Sequence, residues 1–97
     1  MTTKEWTVRI HLVEHGDVTL ARAELTVPGS SMKVLGHGRA RRNPVDRPVP
    51  EVGDELAAGR ALEDLALRVH DVAVDDLVEL AGPADARQRD LAAWWSP

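Results

Sequence analysis

Met32-Lys33-Val34-Leu35-Gly36-His37-Gly38-Arg39-Ala40-Arg41 is the stretch that decides the fold. Alternation puts Met32, Val34, Gly36, Gly38 and Ala40 on one face of a strand, and Lys33, Leu35, His37, Arg39 and Arg41 on the other. Glycine inside a strand marks a place where a second backbone comes close. The next regular stretch supplies one, because its early residues Ala57, Ala58, Gly59 and Ala61 are just as small. Small facing small lets a helix lie directly on the strand.

Toward the N-terminus the same period recurs twice. Trp6, Val8, Ile10 and Leu12 are apolar, with Thr7, Arg9 and His11 between them. Glu14-His15-Gly16-Asp17 then carries turn chemistry, and Ala21, Ala23, Leu25 and Val27 alternate with Arg22, Glu24 and Thr26. That is a hairpin. Pro28-Gly29-Ser30 marks the turn into the third strand.

Toward the C-terminus, residues 43–50 hold three of the six prolines and form a loop. The period then becomes helical. Leu62, Leu65, Ala66, Val69, Ala73, Leu77 and Leu80 follow i, i+3/i+4, i+7 spacing, with Asp54 as the expected N-cap and Gly82-Pro83 as the stop. Asp64 and Arg68 form an i,i+4 pair. The expected architecture is α+β, a three-stranded antiparallel meander packed on one long C-terminal helix, with a short tail helix over 85–95. At 97 residues the chain reads as a single domain over 1–97, with 1–4 and 84–97 as tails.

The middle of the chain resembles a known family. Gly36, Gly38, Ala40 and Arg41 match a G-x-G-x-A-R strand end, Pro44 and Asp46 lie in its loop, and Gly53 to Ala57 with Arg60 to Leu62 match a G-D-E-L-A-x-x-R-A-L helix start. This is similar to the actinobacterial domain of unknown function 1876, over about residues 5–80. The resemblance implies a compact fold likened to double-stranded-RNA-binding domains, a homodimer, and proteins linked to dormancy or stress. It implies no enzymatic activity.

Charge is unevenly spread. The chain has 12 Lys and Arg against 16 Asp and Glu, a net charge of −4, so it is no basic nucleic-acid binder as a whole. Residues 31–50 are the exception, with Lys33, Arg39, Arg41, Arg42 and Arg47 against Asp46. Arginine forks fit phosphates, and A-form RNA is read largely through its backbone and shape, so these five residues are the candidate nucleic-acid site. The competing reading ties the arginines to Asp71, Asp75, Asp76 and Glu79 of the helix, as internal counter-charges. Leu91, Trp94 and Trp95 are the candidate partner-binding residues, or else a cover for the chain's own core.

Other chemistry finds little support. There is no Cys, which excludes disulfides and thiolate chemistry. His11, His15 and His37 could share the sheet face away from the helix, but exposed histidines on a polar face are the commoner outcome, and no metal is expected. Gly36-His37-Gly38 lacks the third glycine of a dinucleotide loop. Ser30, Ser31 and Ser96 have no nucleophile context, and the adjacent acids Glu63-Asp64 and Asp75-Asp76 do not share a helix face. The expectation is a non-enzymatic cytoplasmic protein without cofactor, membrane span or evident small-molecule substrate. RNA or the ribosome is its expected partner, and a dimeric protein-interaction module is the alternative.

Overall fold

The computed structural model describes residues 1–81. Strands β1 (Thr7–His15), β2 (Val18–Thr26) and β3 (Lys33–Arg41) form one antiparallel sheet in the order β1-β2-β3, and helix α1 (Pro50–Ala81) follows. Two turns set the register. Gly16 takes φ of 62° between β1 and β2, and the ladder runs from His15 opposite Val18 to Thr7 opposite Thr26. Between β2 and β3, Pro28 precedes Gly29 at φ of 76°, and Ser30 N donates to Val27 O at 3.1 Å. That is the arrangement of a type II turn, which needs its glycine. The architecture matches the sequence reading.

Helix α1 begins earlier than the Asp54 cap suggested. Pro50 occupies its first turn, where the missing N–H costs nothing, and Val52 N bonds Val49 O at 3.1 Å. Asp54 therefore lies inside the helix. The helix crosses β3 where Gly36 and Gly38 lie: a Cβ on Gly36 would collide with the backbone of Ala61 and Leu65, and one on Gly38 with that of Ala57 and Ala61. The buried core is correspondingly small-grained, consisting of Ala21, Ala23, Leu25, Val34, Ala40, Ala57, Ala61 and Leu65, with Met32, Val69 and Val72 packed against it.

Strand β1 departs from expectation. Its whole length is exposed, including the alternating Val8, Ile10 and Leu12. The register places these beside Leu25, Ala23 and Ala21, on the face that carries the helix. A helix about 10 Å across covers roughly two strands spaced ~4.8 Å apart. Here it covers β2 and β3, and β1 is left outside its footprint. Helix residues are affected too: Leu62 of the expected apolar row is 41% exposed and Leu80 is 85% exposed. The expected tail helix over 85–95 lies outside the described residues.

Candidate nucleic-acid interface

The face of the sheet away from α1 is open. It is built from Arg9, His11 and Val13 of β1, Leu20, Arg22 and Glu24 of β2, and Lys33, Leu35, His37, Arg39 and Arg41 of β3. Registry arranges them in rows. His11, Arg22 and His37 stand side by side across the three strands, and Val13, Leu20 and Arg39 form the next row. A shallow depression lies over these two rows.

Five cations share this face with one carboxylate, Glu24. Lys33 Nζ lies 3.8 Å from Glu24 Oε1. Among the described residues, Arg9, Arg22, Arg39 and Arg41 make no ion pair. Helix α1, on the other side of the sheet, has nine Asp and Glu against Arg60 and Arg68. The molecule is thus polarised across its thickness, basic on the sheet and acidic on the helix.

The five residues singled out from the sequence separate into distinct roles. Lys33, Arg39 and Arg41 are on the open face. Arg42 is not available there: its Nη2 lies 2.6 Å from Asp17 Oδ1, and its Nη1 bonds the carbonyls of Asn43, Pro44 and Asp46. With Arg42 N bonding Asp17 O at 2.8 Å, this side chain clamps the proline-rich loop to the first hairpin. Arg47 is on that loop, lining a cleft of about 430 Å³ with Arg41, Thr19, Val52 and Leu56. Arg9 and Arg22 belong to the open face and were missed when charge was counted along the chain. The hairpin register would have found them, since a turn at Gly16-Asp17 sets Arg9 opposite Glu24 and Arg22 opposite His11.

Internal neutralisation by the helix acids is not what the arginines of β3 do, because the two groups occupy opposite sides of the sheet. What the helix does neutralise is the outer edge of β3. His37 N donates to Asp64 Oδ2 at 2.8 Å, and Arg60 Nη1 donates to Arg39 O at 2.8 Å. Asp64 also receives Arg68 Nε at 3.1 Å. The His37 backbone bond, reinforced by Arg68, holds the Asp64 carboxyl below its ordinary pKa.

Among the described residues no group of His, Cys, Asp and Glu is placed to hold a metal, and Arg22 stands between His11 and His37. No helix among them is long and apolar enough to cross a membrane. Leu91, Trp94 and Trp95 lie outside the described residues.

The sequence matches a family model described as Rv2632c-like over residues 4–86. Uncharacterized proteins of Mycobacterium bovis and Mycobacterium tuberculosis are 45% identical over 74 residues, covering 76% of this chain and 77% of theirs. The uncharacterized protein Rv2632c of Mycobacterium tuberculosis is 40% identical over 70 residues, 72% of this chain and 73% of its own. The crystal structure of Rv2632c shares the fold, with a TM-score of 0.75 at 33% identity over 84% of this chain and 94% of that one.

Proposed function

For this chain, which belongs to the Rv2632c-like family of uncharacterized proteins, we propose a non-enzymatic role in binding RNA, free or in the ribosome, through the open sheet face. One observation carries the reading: Arg9, Arg22, Arg39 and Arg41 converge on a single open face that holds one carboxylate, and none of the four is ion-paired among the described residues. The acidic helix behind the sheet turns that face toward a polyanion and repels the same polyanion from the helix side. The face offers no helix or ribbon to enter a major groove and no Phe, Tyr or Trp ring for stacking bases. It therefore suits backbone phosphates on a broad, shallow surface such as the A-form minor groove. The protein acts in the cytoplasm, and the dormancy and stress setting implied by the family resemblance makes the ribosome the first RNA to try.

Four phosphate contacts imply a log K against log salt slope of roughly −3 to −4. The test is co-sedimentation with ribosomes, and titration of duplex RNA and duplex DNA, at low and moderate salt beside an Arg22→Ala/Arg39→Ala double variant. Salt-steep RNA binding that the folded variant loses supports the site. Binding absent at low salt, or unchanged in the variant, refutes it. The second reading, a dimeric protein-interaction module, draws on a different feature, the exposed apolar row of β1.

A further inference from the structure

The two edges of the sheet are treated differently. On β3 the outward backbone is occupied, with His37 N bonded to Asp64 and Arg39 O to Arg60. On β1 no side chain or neighbouring strand does the same among the described residues, and all nine residues are exposed. An open edge of that length is a template for another strand.

Which groups point outward follows from the same two bonds. Hydrogen-bonding direction alternates along an antiparallel strand. Since His37 and Arg39 point away from β2, Gly36 and Gly38 form the bonded pairs with Ala23 and Ala21. The even residues of β2 then bond to β1, among them Arg22 to His11. That leaves the N–H and C=O groups of Val8, Ile10, Leu12 and Glu14 directed outward from β1. Val8, Ile10 and Leu12 are also the residues whose apolar side chains stand uncovered beside the helix, at 43%, 39% and 43% exposure. One added strand would satisfy the backbone and cover the row together.

We propose that the strand is β1 of a second copy, paired antiparallel about a two-fold axis through Ile10. The sequence of β1 is self-complementary in that register. Ile10 faces Ile10 of the second copy, and Val8 faces Leu12 in both directions, so apolar meets apolar along the whole row. Because the register preserves the sheet faces, both helices lie on one side. The two open faces join into one six-stranded basic surface. Arg9 opposite His11 of the second copy is the unfavourable contact, and it lies on the solvated side, where screening is strongest. The pairing does not depend on what that surface binds.

The register makes the test specific. In sedimentation or light scattering the full chain should have twice the monomer mass. Ile10→Pro should return it to monomer mass with its far-UV spectrum kept, since the proline removes only an outward N–H of an edge strand. The chain has no cysteine of its own. Ile10→Cys should therefore oxidise to a linked dimer, bonded pairs lying about 5.5 Å apart between Cα atoms, within disulfide reach. Val8→Cys alone should stay unlinked, and Val8→Cys/Leu12→Cys should link. A full chain that is monomeric throughout overturns the proposal, and so does one that dimerises only after residues 82–97 are removed, which would give the row to the chain's own tail. A dimer in which Val8→Cys links as well as Ile10→Cys overturns the register. A dimer indifferent to a folded Ile10→Pro overturns the edge.

Discussion

The backbone amide of His37, at the outer edge of β3, donates to a carboxylate oxygen of Asp64 on α1 at 2.8 Å. An edge strand exposes backbone groups that invite pairing, and here a helix side chain occupies one of them. One turn earlier Arg60 takes the carbonyl of Arg39. The helix therefore has two tasks, burying the small residues of β2 and β3 and closing one side of the sheet.

Asp64 makes the closure pH-dependent. Its pKa is lowered from 3.8 by the His37 amide and then by Arg68. A carboxylate with a depressed pKa stabilises the fold fully above its unfolded value, and the contribution disappears as pH falls through the folded one. Urea midpoints of the chain and of Asp64→Asn should therefore differ most above pH ~4 and converge in stronger acid. A gap of constant size across that range would show that the carboxylate charge has no part in it.

Gly→Ala has opposite signs at two positions. At Gly38 the new Cβ meets the helix backbone of Ala57 and Ala61, which cannot swing aside as a side chain could. A cost of about 3 kcal/mol or more is expected, with Gly38→Val worse. At Gly59 nothing lies within 4 Å of the added atom, so helix propensity alone decides, and Ala should gain about 0.5–1 kcal/mol. With 1 kcal/mol worth about 4–8 °C in a domain of this size, melting curves should separate the two variants widely.

These glycines also show how far the sequence could be read. Alternation around Gly36 and Gly38 was enough to bring the helix onto β3, because a strand face without side chains has one common physical use. Alternation says which residues share a face but not how wide the covering layer is, so Val8, Ile10 and Leu12 have the pattern of a half-buried strand and are exposed. Gly59 looked like part of the small-to-small contact and faces open space. The basic face was partly hidden for another reason. Charge counted by segment found Lys33, Arg39 and Arg41, whereas Arg9 and Arg22 join them only once the hairpin is folded in register. Arg42 looked like a site residue because nothing in a linear pattern shows a guanidinium turning back to Asp17 and three carbonyls.

Thr19 is the one buried polar residue of the described chain, at 7% exposure, and its hydroxyl is not sealed from solvent, since no fully buried side-chain oxygen or nitrogen there lacks a hydrogen-bond partner. It lines the cleft beside the start of α1, close to Gly53. A hydroxyl still open to water at the cleft contributes little to folding that a methyl would not. Thr19→Val should leave stability unchanged or raise it by up to about 1 kcal/mol. A clear loss in chemical denaturation would mean that the hydroxyl holds a partner in solution.

Arg42 and Arg22 should fail in different assays. Arg42 ties Asp17 to the carbonyls of residues 43, 44 and 46, and its side chain keeps about a third of its exposure. Charge-assisted bonds discounted for that exposure put the cost of Arg42→Ala at about 1–2 kcal/mol. A double-mutant cycle with Asp17→Ala should recover about 0.5–1 kcal/mol of it as direct coupling. Arg22 contacts no acid, so Arg22→Ala should leave the melting curve in place. At low salt and below the melting range, RNA affinity should follow the reverse pattern, weakened by Arg22→Ala and nearly unchanged by Arg42→Ala. If Arg42→Ala costs affinity without costing stability, the loop, and not the sheet face, is where the RNA lies.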